Sequence, residues 1–302
     1  MRGAHRLGDL IPFPALVDDR IVLVACRFET GQRIRVAGAG SGWSQEWARL
    51  AVSALDRGLR GVELDLLEED GLESAQKVEI QIHSIAVPEA VGPRGLGDAY
   101  SECDVSVDEN AAGQIRGVLV GSEIRIRRAR RDLLGELRDA SAEEWVGALM
   151  HEIAHALGFV GHAAVGDSIL VREQSRLRAA GRRALGGRPW LDETLEALYQ
   201  IPTGQRLGER RIKAESASTI QMLARMRETL SMQGPQSFVV RSSVGDLEAR
   251  IQWRFEDGSR IGIRLPHWRD ELRGGGEISL VADAQMLQRM LRRTSDSRSL
   301  VD

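Results

Sequence analysis

The sequence predicts an α+β fold in which strands and helices are interleaved around a helix that carries a histidine cluster. Three observations predict it. Apolar β-branched runs with period two recur through the first half of the chain, two segments show helical apolar spacing, and "LMHEIAHALGFVGH" places three of the six histidines on and just beyond the second of these.

In chain order, Arg20 to Ala25 reads as a buried strand, and "QRIRVAGAG" as a second strand that ends in a glycine turn. After "GSGWS", the segment Gln45 to Leu59 spaces Trp47, Leu50, Ala51, Ala54 and Leu55 as one face of an amphipathic helix. "VELDLLEE" and "KVEIQIHSIAV" alternate as half-buried strands, and His83 on the second of them is read as structural. A glycine-rich loop, "VGPRGLGDAYSE", leads into "CDVSVDENAAGQIRGVLVGSEIRIRR", which reads as short strands with tight turns. Ser141 and Glu144 then form a capping box, which starts the helix that carries the histidines. Beyond it, "DSILVREQSRLRAAGRRALGGRP" is a loop followed by a basic helix, and "LDETLEALYQIP" another short helix.

From about Gln205 the character changes. Glu215 to Met232 reads as an amphipathic helix, "DLEARIQWRFEDGSRIGIRLP" as a hairpin around an aspartate-glycine turn, and "DAQMLQRMLRR" as a closing helix before a disordered polar tail. The organisation expected is an N-terminal segment over residues 1–19, a main domain over 20–204 and an accessory region over 205–302.

Composition excludes several function classes. A net charge of -3 with 28% charged residues does not suggest nucleic acid or an anionic membrane as partner. The basic run "RIRRARR" has Glu123, Asp132 and Glu136 around it and reads as a solvated strand face. No apolar run approaches the ~20 residues of a membrane span, and no signal peptide is visible. Cys26 and Cys103 are too few for a disulfide framework and lack metal-ligand spacing; one disulfide and two buried thiols both remain open.

The chemistry lies in His151, Glu152 and His155, which spell H-E-x-x-H. Two histidines four apart on a helix stand one turn above the other, so both imidazoles can reach one zinc ion. Glu152, beside the first, is placed to take a proton from water activated by the zinc and to pass it to a leaving amine. Gly158 can end the helix in a left-handed turn, folding the chain back so that His162 becomes the third ligand and a fourth position stays open. If His162 is not a ligand, Glu173, Glu193, Glu196 or Asp167 is the alternative.

On these residues the chain resembles the metzincin zinc peptidases, and most closely their matrixin-like branch, over roughly Arg20 to Tyr199. "HEIAHALGFVGH" is the most specific element; "GPRGLGDAY" looks like the segment leading into the edge strand on which matrixins align substrate, and "LDETLEALY" like their closing helix. The resemblance implies a twisted mixed β-sheet with a backing helix and an active-site helix, followed here by a small C-terminal α+β appendage. It implies a zinc endopeptidase that acts on protein or peptide substrate, with an extracytoplasmic role. A non-catalytic protein that keeps the fold to bind zinc or peptide is the alternative. Two departures stand out. The family motif is H-E-x-x-H-x-x-G-x-x-H, whereas three residues, Phe159, Val160 and Gly161, separate Gly158 from His162 here. The turn equivalent to the family's methionine turn looks like "GDSIL", which makes Leu170 the apolar floor below the metal.

Overall fold

The computed structural model describes residues 12–17, 20–68, 77–86, 96–108, 114–131, 136–159, 161–163, 167–171, 173–213, 237–243, 249–254, 260–265, 278–279 and 281–282. They form a mixed α+β arrangement. The elements are β1 (Pro12–Val17), β2 (Arg20–Ala25), β3 (Arg33–Gly40), α1 (Gln45–Asp56), β4 (Glu63–Leu66), β5 (Ile80–Ile85), β6 (Gly97–Asp108) and β7 (Gln114–Arg127). They continue with β8 (Ala129–Arg131), β9 (Leu137–Asp139), α2 (Ala142–Ala156), α3 (Gln174–Leu185), α4 (Glu193–Gln200) and β10 (Arg206–Lys213). The last are β11 (Ser237–Ser243), β12 (Ala249–Arg254), β13 (Arg260–Leu265), β14 (Ile278–Ser279) and β15 (Val281–Ala282).

The central sheet runs β15-β13-β12-β11-β6-β7-β5-β3-β4. Strands β4, β3, β5 and β7 are parallel, and β6 returns antiparallel along β7. Helix α1 makes the crossover from β3 to β4, buries Ala48, Ala51, Val52, Ala54 and Leu55, and packs against α2. It ends one turn before the expected Leu59, with Arg57 as its last cap and Leu59 in the turn that follows. Helix α2 is buried from Glu144 to Ala156, as suits a helix that is apolar on nearly every side.

A second sheet, β1-β2-β10-β14, joins the first where Arg27 bridges Val118. Three of its strands were not visible in the sequence, and the last of them, β14, has only two residues. Pro12 and Pro14 argue against a strand, but β1 lies at the edge of its sheet, where a missing N–H costs no ladder bond on the open side. Strand β10, "RLGERRIK", pairs with β2 through a register shift between Arg206 and Gly208, which breaks any simple alternation.

Pairing therefore crosses both boundaries drawn at residues 20 and 205. Strand β11 lies antiparallel on β6, with Ser243 opposite Tyr100 and Ser237 opposite Ser106, so the strand expected at an edge is covered along that stretch. The hairpin of β12 and β13 is present, with Arg254 opposite Arg260. Its aspartate-glycine turn, the helices expected over 215–232 and 283–293, and the tail lie outside the described residues.

Cys26 and Cys103 form a disulfide that ties the end of β2 to β6 across a sequence separation of 77. Of the basic run, Arg125 is exposed and pairs with Glu123, as a solvated face requires. Its neighbours correct that reading: Arg127 pairs with Asp98 at 2.6 Å, both side chains mostly buried, and Arg128 lies over the ring of Trp47.

The start of α2 carries a pH-dependent part of the stability. Glu144 accepts from the Ser141 amide at 2.9 Å, closing the capping box, and pairs with Arg138 and Arg178. Burial opposes its ionisation, yet the Ser141 amide and the two guanidiniums outweigh it and hold the carboxyl at about 2. A carboxyl lower in the folded than in the unfolded chain stabilises above its unfolded value and loses that contribution as pH falls towards the folded one. Because both arginines are half-exposed, the contribution is about 1–2 kcal/mol. In urea unfolding of metal-free protein, Glu144→Gln is expected to be less stable than wild type by that amount at pH 7. The gap should shrink below about pH 4.5 and close near pH 2.

Candidate metal centre

His151 and His155, one turn apart on α2, are buried, and their ring centroids are 4.5 Å apart. The helix ends at Leu157, and Gly158 follows with φ +120°. A side chain there would stand 2.4 Å from the Cys26 carbonyl, so glycine is needed both for the turn and for the close approach to β2. Phe159, wholly buried, next presents its carbonyl to His155 Nδ1 at 2.5 Å.

The chain then brings in the third imidazole. His162 Nε2 lies 3.1 Å from His151 Nε2, which is 3.0 Å from His155 Nε2. The nitrogens that could ligate a metal lie within 4.8 Å of one another in all three, and among the described residues no acidic side chain joins the group. Val160 lies outside the described residues, but the three-residue spacer does bring His162 to the other two.

The four acidic alternatives are engaged elsewhere or face solvent. Asp167 pairs with Arg176 at 2.7 Å with its side chain 89% exposed, Glu173 accepts from the Ser175 hydroxyl, Glu193 is exposed on α4, and Glu196 pairs with Arg60. His83 is exposed on β5, remote in sequence and outside the cluster.

A turn over Ser168–Val171 supports the first histidine. The Val171 amide donates to the Ser168 carbonyl at 3.2 Å, the Leu170 amide to Ser168 Oγ, and the Ile169 carbonyl receives His151 Nδ1 at 2.6 Å. Leu170 is wholly buried in this turn, and its carbonyl accepts from Ala163, next to His162. Asp192 anchors the turn from outside: Oδ2 accepts the Ile169 amide at 2.8 Å, while Oδ1 caps α4 through the Thr194 amide. On the other side of α2, the Ser122 hydroxyl donates to the Ala156 carbonyl at 2.9 Å and the Ser101 hydroxyl to that of His155. These bonds satisfy carbonyls that the end of the helix leaves open and attach its last turn to β6 and β7.

These bonds bear on what the histidines can hold. With Nδ1–H donated to a carbonyl, Nε2 of both His151 and His155 carries a lone pair, and the two face each other at 3.0 Å. Facing lone pairs repel unless a cation lies between them. Imidazoles at roughly 2.0–2.1 Å from one tetrahedral ion stand about 3.3 Å apart, close to the observed spacing. The residues present therefore fit a metal ion held by three imidazoles, each of the two helical ones oriented by a backbone carbonyl.

Glu152 follows His151 on α2. It is buried, its Oε2 has no hydrogen-bond partner, and a side chain on Gly97 would stand 2.7 Å from its Oε1. Gly97, the first residue of β6, thus makes room for the carboxylate against the strand. Burial pushes the Glu152 carboxyl up to about 8, Asp98 adds to the rise and Arg127 opposes it. A cation held by the histidines acts in the same sense as Arg127.

Sequence reasoning names His151, Glu152, His155, His162 and Leu170, and the structure brings the three histidines together. That reasoning missed Gly97, the Asp98–Arg127 pair, Ser101, Ser122, Asp192 and the two carbonyls. Only Asp192 carried a readable signal, as an aspartate immediately before the α4 helix pattern. No family model matches the chain, and no curated protein is similar to it at a significant level.

Proposed function

We propose that the protein is a zinc-dependent endopeptidase of metzincin type, closest to the matrixin-like branch. The observation that carries this reading is the convergence of three imidazole Nε2 atoms beside a buried glutamate carboxylate with an unpartnered oxygen. Supporting it are the mixed sheet, α1 packed against α2, and the order of strand, helix, strands and histidine helix.

His151, His155 and His162 would hold the zinc, which as a Lewis acid would activate water and polarise the peptide carbonyl. Glu152 takes the proton of the attacking water and returns it to the leaving amine; its lack of any internal hydrogen bond leaves Oε2 available for both transfers. Leu170, buried in the turn next to the Ile169 carbonyl, serves as the apolar floor where the family has methionine. Gly97 lets the main chain of β6 run beside Glu152, so that an extended peptide pairing there has its scissile bond at the carboxylate. Because β11 covers β6 from Tyr100 onward, such a peptide pairs with the strand only next to Gly97 and Ala99.

The partner on this reading is protein or peptide. Among the described residues no helix is long and apolar enough to cross a membrane. The disulfide between Cys26 and Cys103 supports a place in an oxidising compartment.

The test is reconstitution. Protein stripped with a chelator is expected to leave casein intact, and one equivalent of zinc to restore its cleavage within the chain. Tight zinc uptake with casein and a mixed peptide library both left intact would refute the peptidase reading.

A further inference from the structure

Strand β6 faces the metal centre along one side. Its odd-numbered residues from Ala99 to Val105 are buried while those between them are only half-buried, so one face of the strand meets α2. On that face Gly97 gives room to Glu152, Ser101 Oγ donates to the His155 carbonyl, and Cys103 is bonded to Cys26. Of these three partners only Cys26 does not itself belong to α2.

Cys26 nevertheless reaches the metal centre through its main chain. It is the first residue after β2, and a side chain on Gly158 would stand 2.4 Å from its carbonyl oxygen. Gly158, at φ +120°, turns the chain out of α2 towards His162. The turn thus has two supports. The helix end before it is held to β6 and β7 by Ser101 and Ser122, and the glycine itself rests on Cys26. The bridge ties one support to the other, since Cys103 lies on the same face of β6 two residues after Ser101.

We propose that the Cys26–Cys103 disulfide positions the third imidazole: with the pair oxidised, the turn at Gly158 is set so that His162 reaches His151 and His155, and metal affinity is coupled to the redox state of the pair. The proposal rests on the three histidines holding zinc and is independent of whether the protein cleaves peptides. His151 and His155 are fixed by the helix and by two carbonyls, so their geometry survives reduction. His162 is brought in by the turn. Once the bridge is open, the main chain at Cys26 is released from β6, and Gly158 loses a fixed surface to pack on. A ligand that must then be ordered as the metal binds lowers affinity by the entropy of ordering it. The Tyr199 hydroxyl still donates to the Leu157 carbonyl and the Leu119 amide to the Arg27 carbonyl, so the turn persists in a looser form. The expected loss is therefore at the lower end of the range for groups that orient ligands, about tenfold.

Opening the bridge takes two electrons and two protons, which two glutathione thiols supply as they join into one disulfide. Coupling is reciprocal: the factor by which reduction weakens zinc binding is the factor by which bound zinc protects the pair from reduction. Both cysteines are wholly buried, so the exchange requires the fold to open around them. A chain that is still reduced carries the weaker site, and full metal loading follows formation of the bridge.

Zinc affinity is measured by chelator competition for four full-length proteins: wild type and His162→Ala, each with its cysteines and with Cys26→Ala and Cys103→Ala together. Loss of the bridge is expected to weaken zinc binding about tenfold in the wild type and less than about twofold in His162→Ala, where the imidazole it positions is already gone. A bridge that only restrains the unfolded chain lowers the melting temperature on removal and leaves the affinity of the folded protein as it was. Where the double cysteine variant does not fold, the coupling is read in reverse on the bridged proteins. In a glutathione buffer, saturating zinc is expected to raise the ratio of reduced glutathione squared to oxidised glutathione at half reduction about tenfold in the wild type and less than about twofold in His162→Ala. Equal zinc affinity with and without the bridge, or an equal effect in both backgrounds, would overturn the proposal. Absence of zinc uptake by the oxidised wild type would instead refute the metal centre on which it rests.

Discussion

Glu152→Ala is expected to bind zinc with the stoichiometry of the wild type and to cleave casein at least about 100-fold more slowly. The carboxylate is not among the three converging imidazoles, so its loss leaves them in place, while on the proposed reading it removes the group that takes the proton from water. Retained metal with lost cleavage separates the proton-transfer role from a folding role, because a misfolded α2 would lose His151 and His155 together with Glu152. Glu152→Gln makes the same point more strictly: it keeps the shape packed against Gly97 and removes only the basicity. Cleavage by either variant at the wild-type rate would remove Glu152 from the mechanism, whatever the metal content.

His162→Ala is expected to weaken zinc binding by at least about 100-fold in competition with a chelator, and to lower cleavage with it at limiting zinc. His162 is the one member of the cluster not carried by the helix, and its position depends on the turn through Gly158 and Phe159. The control is Asp167→Ala, which removes the nearest acidic alternative, now engaged with Arg176, and is expected to leave affinity unchanged. Full occupancy in His162→Ala under that competition, or a loss in Asp167→Ala, would assign the third ligand elsewhere.

The two variants test different kinds of inference. The pairing of His151 with His155 and the capping of α2 by Ser141 and Glu144 depend on contacts within one or two helical turns, and for that reason both were legible. The third ligand was legible only as a residue type near the right spacing. Whether one extra residue still allowed the ring to reach depended on how Gly158 packs against Cys26, a neighbour 132 positions away in the chain. Strand β6 was expected at an edge only on the likeness of "GPRGLGDAY" to the matrixin segment; β11, more than a hundred residues further on, carried no mark of where it would pair.

From the sequence alone came the α+β class, the helix that presents His151, Glu152 and His155, and its stop at Gly158. These follow from periodicity, capping and backbone freedom, which act between residues close in the chain. The tertiary structure decided the rest: that His162 joins the cluster, that Cys26 meets Cys103, that Gly97 lies against Glu152, and that β11 covers β6. It also decided that carbonyls of Phe159 and Ile169 orient the imidazoles. Each of these depends on a backbone group or on a partner distant in sequence. Every residue carries the same carbonyl, and only the folded chain determines which one meets a histidine.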